Sequence, residues 1–342
     1  MNSVPNEMWA IVVNTFSGVE GLSIERCPVR RPGKNEVLIK MEGMALHPGD
    51  LELISGGFGY FDLQPPFIAG LLGSGTVVEV GSGLMGRYLM GKRVQVMSRP
   101  LSQESGDGVW SEYALTSADY ALPLDKAVDF EQGAAGVPVS ALTVMGLIQI
   151  AKKGKHKSII QTAAASTTAQ MLAKLAQLEG IKVINVVGRE AQVDYLKQKG
   201  VTMILDQSDP DFEEKLYEAC HEHDVHLAYD AVGGVLTNQL LQAIPTQSTV
   251  VIWGKLDEDP AQADMKQLIF QDKEIDNFFI STWLGNKSLP QNLLLWRRAQ
   301  KLVASGLKAD IRSRHPLQDA IEVVKNYQHE MTGGKVLLVP GM

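Results

Sequence analysis

The segment Gln161-Thr-Ala-Ala-Ala-Ser-Thr-Thr-Ala169 decides how the second half of this chain is interpreted. It follows a short apolar strand pattern, Ser158-Ile-Ile160, and it precedes a helical pattern that Gly180 closes. A second apolar stretch, 182–187, ends in Gly188-Arg189. Strand, tight turn, helix and strand in this order are typical of a dinucleotide-binding unit. Such turns normally carry several glycines and this one carries none, so the sequence predicts a nucleotide site of unusual construction.

Length and composition limit the class of protein. A chain of 342 residues is too long for one ordinary core and predicts two domains. Its 45% hydrophobic and 21% charged residues are typical of a globular protein. A net charge of -7 without a long basic run argues against nucleic acid as a main partner. No apolar run approaches the roughly 18 residues of a membrane span, and the N-terminus lacks a signal-peptide pattern, so we expect no membrane segment and a cytoplasmic location.

The two cysteines are also consistent with a cytoplasmic location. Cys27 and Cys220 lie far apart in the sequence, and neither belongs to a Cys-x-x-Cys pair. This pattern provides neither a disulfide framework nor a cysteine zinc cluster, and it agrees with a reducing compartment.

The pattern of apolar residues changes along the chain. Up to about Ala121, short strand patterns alternate with Pro and Gly and predict a β-rich domain. From about Phe130, helical patterns alternate with short apolar strands, which predicts a parallel sheet covered by helices. A sixth strand is expected at 275–281, followed by a helix around Trp296, a helix near 317–327 and a closing strand at 335–339. We expect the two domains to pack along a cleft that holds the ligands.

The turn itself offers four candidate cofactor residues, Ala164, Ala165, Ser166 and Thr167. Hydroxyl groups and the free amides of a helix N-terminus can both bind a phosphate. The side chains of Thr167 and Ala169 stand near the expected positions of the later glycines, so binding requires that their φ angles are negative. The alternative is an ordinary crossover in which Ser166 only caps the helix.

Gly188 and Arg189 follow the second strand, and Arg189 lies 20 residues beyond Ala169. An acidic residue at this place selects NAD through the ribose 2′-hydroxyl, whereas an arginine accepts a 2′-phosphate. The guanidinium group suits a phosphate, so the sequence predicts a preference for NADP(H). The alternative is a solvated arginine at a strand-helix corner.

An ordered series of segments resembles the zinc-free medium-chain dehydrogenase/reductase family, in its quinone oxidoreductase and enoyl reductase branch. The segments are Leu46-His-Pro-Gly-Asp50, Gly75–Gly81, Gly108-Val-Trp-Ser-Glu-Tyr-Ala114, Ala141-Leu-Thr143, Asp230–Gly234, Val251-Ile-Trp-Gly254 and Gly333-Gly-Lys-Val336. The resemblance implies an α/β fold with two domains. A GroES-like β-barrel substrate domain takes residues 1–131 and 285–342, and a Rossmann doubly wound parallel sheet takes residues 132–284 and binds NADP(H).

The resemblance also assigns further cofactor residues, which are Thr143, Val232, Trp253, Gly254, Lys255, Phe279 and Lys335. It implies a homodimer joined through the sixth strand at 275–281. The turn and the segment Leu268-Ile-Phe-Gln271 are similar to a branch of the family whose nucleotide-binding turn also contains fewer glycines.

The same resemblance indicates where metal ligands and catalytic residues would lie. Where zinc-dependent members have their ligands, this chain has His47 and Gly70-Leu-Leu72, so at most one ligand of three remains and no metal is expected. His47 is a candidate donor to the cofactor ribose or to a substrate oxygen; the alternative is a satisfied turn histidine. The catalytic tyrosine of enoyl reductases is replaced by Phe58, and Tyr60 is the candidate that could substitute for it. The alternative for Tyr60 is a loop aromatic packed against Phe61 or Phe67.

The sequence therefore predicts an NADPH-dependent, zinc-independent reductase that transfers a hydride to a quinone or a small conjugated carbonyl compound. The competing hypothesis is a sensor or interaction protein that binds NADPH with little or no turnover. The histidines of Cys220-His-Glu-His-Asp-Val-His226 are interpreted as solvated surface.

Overall fold

The computed structural model describes residues 4–57, 63–98 and 108–342. The chain forms two compact units, one from residues 1–139 and 300–342 and the other from residues 140–299. The chain thus changes unit at 139/140 and 299/300, whereas the expected domain limits are 131/132 and 284/285.

The strands, in chain order, are β1 Glu7–Val13, β2 Leu22–Pro28, β3 Glu36–Ala45, β4 Phe67–Ile68, β5 Leu72–Val80, β6 Arg93–Met97, β7 Tyr113–Ser117, β8 Ala121–Pro123, β9 Ser158–Gln161, β10 Lys182–Val187, β11 Ile204–Asp206, β12 Leu227–Asp230, β13 Thr249–Ile252, β14 Glu274–Asn277, β15 Ile311–Pro316 and β16 Lys335–Val339. The helices are α1 Pro48–Ile54, α2 Leu84–Leu89, α3 Phe130–Ala135, α4 Leu142–Lys153, α5 Thr167–Leu178, α6 Glu190–Gln198, α7 Phe212–Glu222, α8 Gly234–Ala243, α9 Met265–Gln271, α10 Ile280–Gly285, α11 Leu289–Ala304 and α12 Ala320–His329. Short 3-10 turns lie at Gly18–Gly21, Ala118–Tyr120 and Leu317–Asp319, and a π-helical turn lies at Val137–Ala141.

The first unit is built from two sheets. One sheet has the order β15-β16-β3-β5-β6-β8, with β7 also paired to β3, and the other has the order β2-β1-β4. Their alternating side chains form a large apolar core, in which Trp110 is fully buried. Gly70 has a φ of +98°, and a Cβ there would lie 2.2 Å from the Trp110 ring, so this position requires glycine.

The second unit is a parallel sheet of six strands in the order β11-β10-β9-β12-β13-β14. Strand β9 is buried throughout, as expected for a central strand with helices on both faces. The expected parallel sheet and its helices are confirmed. The sixth strand is present, but the expected range 275–281 was wrong at its end. β14 stops at Asn277, and α10 begins at Ile280.

The length and the hydropathy of the helices bear on the expected absence of a membrane segment. Over the residues that the structure describes, no helix is both long enough and apolar enough to cross a membrane.

Candidate functional site

The glycine-free turn joins β9 to the N-terminus of α5. Ser166 is the N-cap of α5, and its hydroxyl accepts a hydrogen bond from the Ala169 amide at 3.3 Å. The next residues, Thr167 and Thr168, occupy the first helical turn, where backbone amides have no partner inside the helix. The turn therefore presents free amides at the positive end of a helix of twelve residues, an arrangement that binds anions.

The turn closes through Ala163, which takes a left-handed φ of +48°. Thr167 and Ala169, the two residues whose φ angles the sequence analysis required to be negative, both lie in the regular helix α5. The unusual conformation thus falls on the smallest chiral side chain, earlier in the turn than the residues that the sequence analysis singled out. An alanine in this region costs about 1–2 kcal/mol relative to the right-handed region.

Most of the predicted cofactor residues of the second unit lie along one edge of its sheet. Each follows the carboxyl end of a strand, and these strands, β10, β9, β12, β13 and β14, are successive neighbours. The residues are Ala164 to Thr167, Gly188, Arg189, Val232, Trp253, Gly254, Lys255 and Phe279. The chain connections run in opposite directions from β9 and β12, which is the switch point where ligands of open α/β sheets bind.

A buried carboxylate connects the turns at this switch point. Asp230, at the end of β12, is fully buried, and its Oδ1 accepts hydrogen bonds from the Thr162 hydroxyl at 2.9 Å and the Val232 amide at 2.9 Å. Its Oδ2 accepts from the Thr237 hydroxyl of α8 at 2.7 Å. The Thr162 hydroxyl in turn accepts from the Ala231 amide at 2.8 Å, so the turns after β9 and β12 form one network.

Arg189 lies just after β10 and is the N-cap of α6. Its side chain is exposed, and no hydrogen bond or ion pair joins its guanidinium to another residue in the described ranges. The preceding Gly188 donates its amide to Gln192 Oε1 at 3.0 Å. The guanidinium is thus available to a phosphate at the place where a dinucleotide carries its adenosine ribose.

The first unit brings His47 and Lys335 together. Strands β3 and β16 are antiparallel, Leu337 pairs with Ala45, and the Leu46 amide donates to the Val336 carbonyl at 3.0 Å. Continuing this register places Lys335 opposite His47. Lys335 is only 7% exposed, and its Nζ makes no hydrogen bond to any residue that the structure describes.

His47 caps α1 in a fixed tautomer. Its Nδ1 accepts from the Gly49 amide at 3.0 Å, which assigns the proton of the neutral ring to Nε2. Its own amide donates to Asp50 Oδ2 at 2.7 Å, which completes a capping box. Asp50 Oδ1 accepts from the Leu71 amide at 2.9 Å, so both oxygens of this 1% exposed carboxylate are used.

Burial moves the pKa of all three groups toward their neutral forms. Desolvation, assisted by the Lys335 charge, lowers the pKa of His47 to about 3. Desolvation raises the pKa of Asp50 to about 7, against the opposing effect of its two backbone hydrogen bonds and of Lys335. Desolvation lowers the pKa of Lys335 to about 8, partly offset by the charge of Asp50. At neutral pH the imidazole is therefore uncharged and offers an Nε2–H group.

The remaining predicted residues differ in their surroundings. Thr143 lies in the first turn of α4 and is 4% exposed. Phe279 is 45% exposed and is the N-cap of α10. The indole Nε1 of Trp253 is buried without a partner in the described part of the chain. Gly254 is required because a Cβ would lie 2.8 Å from the Ala231 carbonyl.

Tyr60, the second catalytic candidate, lies outside the described residues, as does Phe58.

Sequence reasoning missed the roles of Asp50, Ala163 and Asp230. Asp50 and Asp230 each carried a signal, because a carboxylate directly after an apolar strand or in a helix first turn usually accepts backbone amides. Ala163 carried only the weak signal of a small residue in a tight turn.

The metal prediction concerns the positions that bind catalytic zinc in the family. His47 Nδ1 is used by the Gly49 amide, and the positions 70–72 carry Gly and Leu, whose side chains hold no ligand atom. Within residues 4–57, 63–98 and 108–342, no three His, Cys, Asp or Glu side chains form a group that could hold a metal ion. The described residues at these positions do not supply the ligand set of a catalytic zinc ion.

Comparison with known proteins agrees with this architecture. Residues 33–126 match the family model described as "Alcohol dehydrogenase GroES-like domain", and residues 168–296 match the one described as "Zinc-binding dehydrogenase". The chain is 31% identical to a structure from Mesorhizobium loti provisionally named as an NADPH:quinone reductase. The match has a TM-score of 0.87 and covers 99% of this chain and 100% of that one.

Two further matches of lower identity also cover most of this chain. The mitochondrial enoyl-[acyl-carrier-protein] reductase of Dictyostelium discoideum is 26% identical over 310 residues, 89% of this chain and 86% of that protein. The Escherichia coli quinone oxidoreductase, solved as a complex with NADPH, shares the fold with a TM-score of 0.84 and 23% identity over 97% of this chain and 100% of that one. The chain belongs to the medium-chain dehydrogenase/reductase family, in the branch of the quinone oxidoreductases and enoyl reductases.

The left-handed Ala163 predicts the effect of adding a glycine to this turn. Ala163→Gly should leave the free energy of unfolding unchanged or raise it by up to about 1 kcal/mol, because relief of the strained φ exceeds or balances the added freedom of the unfolded chain. Ala219→Gly in the interior of α7 is the matched control and should lower it by about 1 kcal/mol. Urea unfolding measures both variants, and equal losses would contradict the strain at Ala163.

The lowered pKa of His47 predicts a loss of stability in acid. The unfolded chain binds a proton at this histidine below about pH 6.5 and the folded chain only near pH 3, so stability falls as the pH decreases between these values. His47→Asn keeps a good N-cap, so its stability at pH 7 should stay within about 1 kcal/mol of the wild type.

At pH 5 the asparagine variant should lose less stability, relative to pH 7, than the wild type. Thermal unfolding measured at both pH values tests this difference. His47→Ala serves as the control, since it removes both the cap and the titration and should already lose about 1 kcal/mol at pH 7. An acid loss of the same size in the wild type and in His47→Asn would contradict the assignment.

Proposed function

We propose that this protein is an NADPH-dependent, zinc-independent reductase that transfers a hydride to a quinone or a small conjugated carbonyl compound. One observation carries the proposal. The exposed Arg189, which has no partner among the described residues, and the free amides at the N-terminus of α5 follow adjacent strands of one sheet edge. Together they provide one site for a pyrophosphate and one for a 2′-phosphate, which are the two anionic parts of NADPH.

The chain would hold NADPH through its own groups, and the cofactor supplies the hydride. The amides of Thr167 and Thr168 would bind the pyrophosphate, and the Arg189 guanidinium would bind the 2′-phosphate. Gly188, Val232 and the Trp253-Gly254-Lys255 segment follow neighbouring strands and would line the same nucleotide. The NADPH complex of the related E. coli protein supports the choice of cofactor.

His47 and Lys335 are proposed to act on the acceptor side of the reaction. Because the pKa of His47 is about 3, its ring is neutral and would donate a hydrogen bond from Nε2 rather than a proton. Lys335, whose pKa is about 8, is mostly charged at neutral pH. Its ammonium would stabilise the negative charge that develops on a substrate oxygen after hydride transfer, or it would bind a cofactor oxygen.

The proposed zinc independence rests on the ligand positions. The zinc chemistry of related dehydrogenases polarises a carbonyl through three protein ligands, and this chain offers at most His47, whose Nδ1 is already a cap acceptor. Quinones accept a hydride without a metal, and the His47 and Lys335 pair would provide the needed polarisation.

A cofactor and substrate screen tests this function. NADPH binding is followed by fluorescence titration, and NADPH oxidation is then measured with quinones and with enones as acceptors. We expect binding with NADPH preferred over NADH, and turnover with at least one acceptor class. Tight NADPH binding with no turnover across both classes would instead support the alternative, an NADPH-binding sensor or interaction protein.

Arg189→Ala isolates the 2′-phosphate contact. Loss of one charge-assisted phosphate contact should raise the Kd for NADPH about tenfold or more and leave the Kd for NADH nearly unchanged. Lys182→Ala, an exposed cation at the opposite end of β10, is the matched control and should change neither value. A preference for NADH in the wild type, or an unchanged NADPH affinity in Arg189→Ala, would refute the phosphate contact.

We further propose that two copies of the chain associate through β14. This strand is exposed along its whole length and pairs only with β13 among the described strands. Ile275 on this strand is 40% exposed, and Ile269 and Phe270 of the preceding helix α9 are 70% and 80% exposed. A strand that pairs on one side only presents unpaired backbone groups at the edge of its sheet, and pairing with a second copy would satisfy them.

A charge placed on this edge should separate the copies. Ile275→Lys should convert a dimer into a monomer in size-exclusion chromatography with light scattering, because the charge would be buried in the interface. Leu178→Lys, at a position 78% exposed at the end of α5, is the matched control and should leave the mass unchanged. A monomeric wild type at micromolar concentration would contradict this assembly.

A further inference from the structure

Gln170 connects the phosphate-binding turn to a neighbouring helix. It lies in the first part of α5 and is only 9% exposed. Its Nε2 donates to the Ala165 carbonyl at 3.0 Å and also lies 3.4 Å from the Ser166 carbonyl. The same nitrogen lies 3.4 Å from the hydroxyl of Tyr195 on α6. One side-chain amide therefore contacts two carbonyls of the turn and a residue of the next helix.

These side-chain contacts add to the backbone hydrogen bonds of the turn. The Ser166 carbonyl accepts the Gln170 backbone amide at 3.0 Å, so the helix itself directs this carbonyl, whereas the Gln170 side chain binds the Ala165 carbonyl. The peptide group is planar and trans, so the Thr167 amide points away from the Ser166 carbonyl. Gln170 thus holds the Ala165 carbonyl inside the protein, while the helix geometry leaves the Thr167 amide for a phosphate.

The side chains of the turn reinforce this connection. Ala164 and Ala165 are 1% and 3% exposed, and they belong to an apolar cluster with Val187 and with Leu196 of α6. Tyr195 packs against the same cluster. A glycine-rich turn would lack these methyl groups. The helix that they contact is the one that Arg189 caps, so the turn and the arginine are held by one set of contacts.

The orientation of the Gln170 amide follows from its surroundings. Its Oε1 is buried and has no partner in the part of the chain that the structure describes, whereas Nε2 faces three acceptors. The reversed amide would bring Oε1 against two carbonyl oxygens, which repel it.

We propose that Gln170 is a positioning residue of the cofactor site, which replaces the missing glycines by binding the Ala165 carbonyl and joining the turn to the helix that begins after Arg189. This inference rests on the proposed binding of NADPH at the turn. It assigns to Gln170 the affinity for the pyrophosphate, which NADPH and NADH share, and leaves the choice between them to Arg189.

The test compares both nucleotides on the full-length protein. Gln170→Met keeps the size of the side chain and removes its donor. We expect the Kd values for NADPH and for NADH to rise together by about tenfold, with their ratio unchanged, as for the loss of one or two buried hydrogen bonds. Tyr195→Phe removes only the hydroxyl, and both Kd values should rise by about threefold. Fluorescence titration measures all four values.

A matched control separates positioning from general destabilisation. Gln132 of the first unit is also buried, and its Nε2 donates to the Ala309 carbonyl at 2.8 Å. Gln132→Met should lower the midpoint of thermal unfolding but leave both Kd values unchanged. The inference is overturned if Gln132→Met weakens binding as much as Gln170→Met does, or if the Gln170→Met and Tyr195→Phe variants bind both nucleotides as the wild type does.

Nucleotide binding by the wild type distinguishes a failure of the proposed function from a failure of this inference. If the wild type binds neither nucleotide, the proposed function fails and this inference fails with it. If the wild type binds NADPH and Gln170→Met changes only the NADPH to NADH ratio, the proposed function stands and the role given to Gln170 is refuted.

Discussion

The hydrogen bonds to the buried Asp230 carboxylate are the interaction on which the ligand-binding edge of the second unit depends. A carboxylate removed from water without partners would destabilise the fold by several kcal/mol. Here it accepts from two hydroxyls, those of Thr162 and Thr237, and from the backbone amides that follow it. Since Thr162 begins the turn after β9 and Asp230 ends β12, neither turn can move without breaking these bonds. The sheet is thereby rigid at the point where its connections change direction, and a ligand bound there meets a preformed site.

This rigidity explains how a turn without glycine can still form. The turn needs one residue in the left-handed region, and Ala163 takes that conformation at a cost that the surrounding contacts offset. The methyl groups of Ala164 and Ala165 do not occupy the ligand side but are buried against α6. In a glycine-rich turn, the backbone approaches the phosphates closely and stays adaptable. In this turn, apolar packing and the Gln170 amide fix the backbone in one conformation, so the free amides of α5 are held in place before any phosphate binds.

The sequence predicted the parts of this arrangement that depend on local patterns. The order of strands and helices and the position of Arg189 after β10 follow from apolar periodicity, and the structure confirms both. Ser166, for which capping was the alternative to phosphate binding, is the N-cap of α5. The remaining features depend on residues distant in sequence. Asp230 lies 68 residues from Thr162, and Gln170 reaches Tyr195 25 residues away, so neither contact leaves a periodic signal. The end of β14 at Asn277 was also not predictable, because 275–281 is apolar enough to continue as a strand and only the start of α10 ends it.

The cluster of ionisable side chains in the first unit, formed by His47, Asp50 and Lys335, shows how burial changes the chemical behaviour of a residue. His47, Asp50 and Lys335 share one desolvated region, and desolvation moves each pKa toward the neutral form. Each oxygen of Asp50 accepts one backbone amide, and no hydrogen bond joins this carboxylate to Lys335 in the described structure. The ammonium therefore interacts with Asp50 through its charge and retains its donors for another acceptor. An oxygen atom that gains negative charge would satisfy those donors and would raise the pKa of Lys335 again. On the proposed function, the transfer of a hydride creates such an oxygen, and so the group is better matched to the reaction's product than to its starting state.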